Sequence, residues 1–451
     1  MADPSSSFSS SPKFVYFVVI PLIMLSALLL IFNHKPSSSF SFPLPPQPIA
    51  LTSAAPPPVV ESKRKYADLE MVEASLAKAR ANIHEARTNN ESSYDADYIP
   101  RGPLYRNPNA FHRSYLEMEK TLKIYVYEEG DPPLYHYGTS LGILGIEGII
   151  LHQIEISSFR TTDPLRAHLF FLPISFQSIA NYAYVVHNRA WDPLQNIATD
   201  YVNLISTRHP FWNRSLGRDH FIVGCHDWTP KISIGAEHLY KNSIRVLCNA
   251  NTSEGFKPGT DVSMPEIHLP EGTLDGLIGG PPAEERPVLV FYAGGVHGYI
   301  RQVLMEQWRN KDPEIQVHEY LPENMSYYGM FRRSKYCICP SGWEVASPRM
   351  VEAIYMGCVP VLLKDHYAKP FDDVLEWTKF ALEVEVKEIA NLKKILMAVP
   401  QEKYLEMQRN GVRVRRHFEV NFPPKRYDVF HMILHSMWLR RINVQLHQPH
   451  I

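Results

Sequence analysis

The sequence carries almost no net charge: 46 Lys and Arg against 47 Asp and Glu leave −1 over 451 residues. No long-range field draws such a chain to nucleic acid or an acidic surface, which excludes a nucleic-acid binder. Cysteine is scarce, with only Cys225, Cys248, Cys337, Cys339 and Cys358. Cys337 and Cys339 form C-x-C with no Cys or His pair at finger-like distance, so no zinc site is expected. The odd count leaves at least one thiol free or paired between chains. In an oxidising compartment the simplest arrangement is two disulfides and one buried thiol. Long apolar runs are missing beyond residue 32, so a single membrane pass is expected.

The one long run is Phe14–Phe32, 19 uncharged residues. At 1.5 Å per residue it spans roughly 28 Å, close to a bilayer core. A cleaved signal peptide has a shorter apolar region of about 7–15 residues, so the run reads as an anchor. Lys13 and Lys35 flank it on either side, and the positive-inside rule does not orient it. Four N-x-[ST] sequons, headed by Asn90, Asn213, Asn251 and Asn324, favour a lumenal, glycosylated remainder. The modest length of the run suits thinner early secretory membranes. The expectation is a type II Golgi protein with a cytosolic tail over 1–13, the anchor over 14–32 and a stem over 33–118.

Proline is abundant and unevenly placed. Eight of the 37 lie between Pro36 and Pro58, and residues 36–60 carry no charge. Such a composition builds no core and predicts an extended spacer. From Ser62 to Arg87, Leu69, Val72, Leu76, Ala79 and Ile83 recur at threes and fours, which predicts a helix. That stripe serves either a dimeric coiled coil or docking on the chain's own body. A homo- or hetero-dimer through the stem or catalytic domain is therefore one expectation.

From Thr121 the runs LKIYVY, HLFFLP, HFIVG and IRVLC read as strands, with a long helix over Ile179–Ile205. A second series, VLVFYAG, IQVHEY, YCICP, VPVLL and FALEV, follows a Pro- and Gly-rich break at Gly272–Pro287. Apolar strands alternating with helices predict parallel sheets covered on both faces. The predicted fold is α/β, with Rossmann-like lobes over 119–285 and 286–451 facing a cleft. Helices near Gln401–His417 and Arg426–Arg440 finish the chain.

Three places concentrate chemistry. Tyr336–Lys364 reads as strand, loop, helix and strand, with Ser341 in the loop, Ser347 as N-cap and Pro348 at the first helical position. A helix so placed turns its free N–H groups toward the cleft, where a pyrophosphate fits. Arg349 and Glu352 share a face of it, either as an ordinary surface ion pair or as a clamp on diphosphate and ribose. In FYAGGVHGYIRQ, Gly294, Gly295 and Gly298 let backbone approach a ligand, and Arg301 falls in the next helix's first turn. In GRDHFIVGCHDW, Asp219 and His220 precede a strand while His226 and Asp227 follow it. Asp227 is either a loop cap or a general base acting on an acceptor hydroxyl. The single D-x-D, Asp95-Ala96-Asp97, lies outside both lobes and is read as chance, so no metal is expected. Leaving-group charge then falls to arginines and the helix end.

The segments KIYVYE, AHLFFLP, GRDHFIV with HDW, and CPSGWEVASPRMVEAIYMGCVPV resemble the conserved blocks of the exostosin domain of glycosyltransferase family 47, particularly its plant members. The likeness covers about 120–385. It implies a GT-B fold and an inverting, metal-independent enzyme with a UDP-sugar donor and a cell-wall polysaccharide or related glycan as acceptor. By the same resemblance Arg349 and Glu352 hold phosphate and ribose, and Arg301 matches the Arg opening the donor-lobe helix. Asp227, His226, Asp219 and His220 fall to the acceptor side, and Cys337 and Cys358 match a bridged pair. The competing readings are a non-catalytic scaffold of a synthase complex or a tethered glycan-binding protein.

Overall fold

Each apolar run becomes a strand. The computed structural model describes residues 59–89, 94–185 and 190–446. The apolar run 14–32 lies outside them, and among the described residues no helix is long and apolar enough to cross a membrane. The first series forms β1 (Ile124–Val126), β2 (Arg160–Thr161), β3 (Leu169–Phe171), β4 (His220–Gly224), β5 (Ile244–Leu247) and β6 (Val262–Ser263). The second forms β7 (Val288–Ala293), β8 (Ile315–His318), β9 (Ser334–Pro340), β10 (Val359–Leu363) and β11 (Leu382–Glu383). Every pairing within the two sheets is parallel. Central strands such as β4 and β10 are buried along their whole length, which is why they read as unbroken apolar runs.

The strand orders are β2-β1-β3-β4-β5-β6 and β11-β10-β9-β7-β8. Counted from its own first strand, each sheet begins 2-1-3-4-5, so the lobes share a doubly wound order. Such a sheet has a crevice at the carboxyl ends of its first and third strands, where the winding reverses. In the second lobe that crevice lies between β7 and β9. The loops leaving those strands are the Gly-rich turn at 294–298 and the 341–348 loop.

Three expectations are corrected. The helix read over Ile179–Ile205 is two helices, Phe176–Ala183 and Asp192–Arg208. Pro193 cannot sit inside a helix without losing a hydrogen bond, and it instead lies in the first turn of the second one. The stem stripe is not available for a coiled coil. It lies on the helix Val59–Asn89, and Val72, Leu76 and Ala79 are buried in the core. Asn82 Nδ2 donates to Glu117 Oε1 at 2.8 Å, and Arg441 Nη2 reaches Glu73 at 2.5 Å, tying that helix to the body. The last helix, Val429–Ile442, does not stay with the second lobe but packs on β5, β6 and the helices Val59–Asn89 and Pro108–Thr121. Arg440 Nε donates to the Asp261 carbonyl and Arg441 Nε to the His168 carbonyl, both in the first lobe.

Two disulfides each staple neighbouring parallel strands. Cys337–Cys358 joins β9 to the start of β10, as the family resemblance implied, and Cys225–Cys248 joins the ends of β4 and β5. Cys339 is free and buried, and burial pushes its thiol up to about 12.

Candidate functional site

The crevice of the second lobe is built around two arginines. Arg349 opens the seven-residue helix Arg349–Tyr355. Its Nε and Nη2 donate to the Ala293 carbonyl, the last of β7, at 3.1 and 3.0 Å, while Nη1 donates to Ser347 Oγ at 3.3 Å. Ser347 therefore steadies the guanidinium rather than capping the helix, whose N-cap is Pro348 with no side-chain bond. Gly294 is required here because a Cβ on it would lie 2.2 Å from Arg349 Nη2. Arg301 follows in the first turn of Tyr299–Trp308 and is buried. Its Nη1 donates to the Gly295 carbonyl at 3.4 Å, and its Nε is buried without a partner. Gly298, at φ +82°, lets the two loops touch, since a Cβ there would meet the Gly342 carbonyl oxygen at 2.3 Å. Ser341 donates its N–H to the Leu363 carbonyl and keeps a buried, unpartnered hydroxyl.

Glu352 is buried and is not paired with Arg349. Its Oε2 accepts from the Tyr327 hydroxyl at 2.8 Å, and Oε1 lies 3.6 Å from His268 Nδ1. The surface-pair reading of Arg349 and Glu352 is thus replaced by two buried groups, each held by others. Both line a cavity of about 430 Å³ with Arg301 and Tyr327, closed from the first lobe by Glu266 and His268. Glu266 is buried on the cavity wall, and burial, then the Asp227 charge, raise its carboxyl to about 8. Lys364, one residue past β10, donates to the Val345 carbonyl, and burial lowers its ammonium to about 8. Sequence reasoning missed Glu266 and Lys364. Each lies within three residues of a strand's carboxyl end, which was the available signal.

The first lobe separates the two ends of β4. Asp219 and His220 lie at its amino end in the core, both fully buried. Asp219 accepts from Ser215 Oγ at 2.6 Å and from Arg214 Nη2 at 3.0 Å; His220 Nδ1 bonds Asp219 at 2.8 Å and Nε2 bonds the Tyr127 hydroxyl at 2.8 Å. Burial opposes the charge, but His220 and Arg214 outweigh it and hold the Asp219 carboxyl well below the usual range. This closed network cannot meet an acceptor, so the acceptor-side assignment of Asp219 and His220 is withdrawn.

His226 and Asp227 lie at the other end, beside Cys225–Cys248. Burial lowers His226 to about 4, and its neutral ring accepts the Trp228 N–H at Nδ1, 3.1 Å away. Asp227 is exposed at the rim, yet its carboxyl rises to about 6 through desolvation and the neighbouring Glu254. It lines a second cavity of about 430 Å³ with Trp191, Trp228, Glu254 and Glu344. Glu344 and Ala346 belong to one loop and face the two cavities respectively. The cavities are therefore neighbours across two residues.

Other expected positions resolve individually. Asp95 is bound by Arg426 through both oxygens at 2.9 and 2.8 Å, so the D-x-D carboxylate serves an ion pair. Asn213 and Asn324 are exposed. Asn251 is not an open acceptor for a glycan: it is buried and caps Thr252–Glu254, its Oδ1 accepting from the Ser253 N–H and hydroxyl. Asn90 lies outside the described residues.

A family model described as the exostosin GT47 domain matches residues 118–399. The probable glycosyltransferase At5g03795 of Arabidopsis thaliana is 54% identical over 389 residues, covering 86% of this chain and 75% of that protein. A second, At3g07620 of the same plant, is 51% identical over 384 residues, covering 83% and 81%. More distantly, the probable glucuronoxylan glucuronosyltransferase IRX7 of Arabidopsis thaliana is 28% identical over 316 residues, covering 64% and 69%.

Proposed function

The chain belongs to the exostosin GT47 family of plant glycosyltransferases, and from that premise we propose that it transfers a sugar from a UDP-sugar to a cell-wall polysaccharide or related glycan, with inversion and without a metal. In this reading the lobes form a GT-B cleft, the first holding acceptor and the second donor. The protein is held by residues 14–32 in the Golgi membrane with its catalytic body in the lumen.

The observation that carries the reading is the pair of arginines fixed at the β7/β9 crevice, beside a buried carboxylate with one oxygen still open. Arg301 and Arg349 meet the diphosphate, with Lys364 adding charge from behind the loop, and Glu352 Oε1 accepts from the ribose. Ser341 Oγ and Arg301 Nε supply partners for phosphate oxygens. The acceptor hydroxyl gives its proton to Asp227 as its oxygen bonds the anomeric carbon from the face opposite the nucleotide. The bond from that carbon to the diphosphate breaks, and UDP leaves with the electron pair. Fixed positive groups stabilise that departing charge because they need no reorganisation as it develops. Asp227 suits a base at neutral pH because a group near 6 is mostly ionised yet still proton-seeking.

Calorimetric titration of the full-length protein with UDP, with and without EDTA, tests this. Micromolar binding that persists in EDTA and raises the melting temperature is the expected result. A folded protein that ignores UDP under both conditions would overturn it.

A further inference from the structure

The second cavity offers more than a place for Asp227. Trp191 and Trp228 line it with ring centroids 5.3 Å apart and planes at 78°, so two indole surfaces meet at an angle. Tyr184 and His226 brace Trp228 from other sides, at 4.7 and 5.2 Å. Around the rings stand Asp227, Glu254 and Glu344, and none of the three forms an ion pair among the described residues. Among the described residues Lys231, 6.0 Å from the Trp191 ring centroid, is the one cation on the lining.

The acidic side chains supply most of the polar lining, and Glu344 Oε2 is buried without a hydrogen bond. A buried carboxyl oxygen left without a partner is unfavourable, so a ligand that brings hydroxyl groups completes the site. The aromatic walls ask for an apolar face on the same ligand. A pyranose or furanose ring has both, with C–H bonds on its face and hydroxyls at its edge. Burial and then the acids' repulsion of one another raise Asp227 to about 6 and Glu344 to about 8, so a ring with a negative charge of its own adds to that repulsion and a neutral ring does not.

Resting on the transferase reading, we propose that this cavity is the acceptor subsite, that it stacks a neutral sugar unit on Trp191 and Trp228, and that Glu254 and Glu344 reject chains of uronic acids. Glu344 comes from the donor lobe and the rest from the first lobe, so the subsite forms only when both lobes present their loops. Selection of a neutral acceptor is thus shared between loops of the two lobes.

The full-length protein is titrated by calorimetry with hexamers of β-1,4-xylose, of β-1,4-galactose and of galacturonate, and separately with UDP. At least one neutral hexamer binds, and the galacturonate hexamer binds at least tenfold more weakly or not at all. Trp191→Ala and Trp228→Ala each weaken the neutral hexamer about tenfold and leave UDP affinity unchanged, while Trp191→Phe restores most of the loss. Glu344→Gln narrows the gap between neutral and acidic hexamers. Equal or tighter binding of galacturonate, absence of neutral binding by protein that binds UDP, or indifference to Trp191→Ala overturns the inference. Loss of UDP binding alone, with the hexamer results intact, counts against the transferase reading and not against the subsite.

Discussion

In one cavity of the cleft Arg301 and Arg349, with Lys364 behind them, are held by carbonyl oxygens, and in its neighbour Asp227, Glu254 and Glu344 form no ion pair among the described residues. Neither group neutralises the other. Burial lowers the Arg301 and Lys364 values and raises those of Asp227 and Glu344, the pattern of charges desolvated ahead of a partner. Had the molecule needed these groups only for stability, pairing them across the cleft would have been the cheaper arrangement. The separation teaches that each wall is matched to something outside the chain: an anion on one side, a hydroxyl-bearing neutral molecule on the other.

That contrast can be broken most severely at Asp227. Asp227→Asn should lower kcat about 10²–10⁴-fold while UDP affinity holds, read by steady-state kinetics beside calorimetry. Its counterpart at the amino end of β4 should behave in the opposite way. Asp219→Asn leaves Arg214 and His220 without their carboxylate and should cost about 3–5 kcal/mol of stability, measured by denaturant melts. Activity per folded molecule should be unchanged. Because the Asp219 value is depressed on folding, its contribution is present above the unfolded carboxylate value of about 3.9 and is lost as pH falls.

On the cationic wall, Arg349→Ala should weaken UDP by about 1.5–3 kcal/mol, roughly 10–150-fold. Arg349→Lys should recover little, since an ammonium cannot bridge the Ala293 carbonyl and Ser347 at once. The smallest effect is the pH profile. kcat/KM should rise as Asp227 ionises through about 6. It should decline above about 8, where Lys364 loses its proton and Glu266 gains a charge beside the diphosphate. A flat profile between 5 and 9 would remove all three groups from the reaction.

Much of this arrangement was legible in the sequence, for physical reasons. Strands covered on both faces must be apolar throughout, so β3, β4, β7, β9 and β10 announced themselves, whereas the two-residue β2 and β6 left no periodicity to read. Pro193 marks the start of the second helix, whereas the apolar spacing around it runs on as if one helix spanned the break. Arg301, Arg349 and Glu352 were found because a strand–loop–helix unit aims the start of its helix at a crevice. Asp219 and Asp227 looked alike because polar residues flank a central strand at both ends, and only packing distinguishes them. Glu254, Glu266 and Glu344 could not be grouped, since they come from three loops that only the closed lobes bring near one another.

The return of the helix Val429–Ile442 to β5 and β6 also orders events during synthesis. The first sheet is complete in sequence by Ser263, yet the helix that covers it leaves the ribosome only after the whole second sheet. Until then an apolar face of the nascent lobe waits uncovered, and a message truncated even shortly before residue 429 yields a chain that cannot close it. Such a product is an unfinished first lobe, although every strand of its sheet has been made.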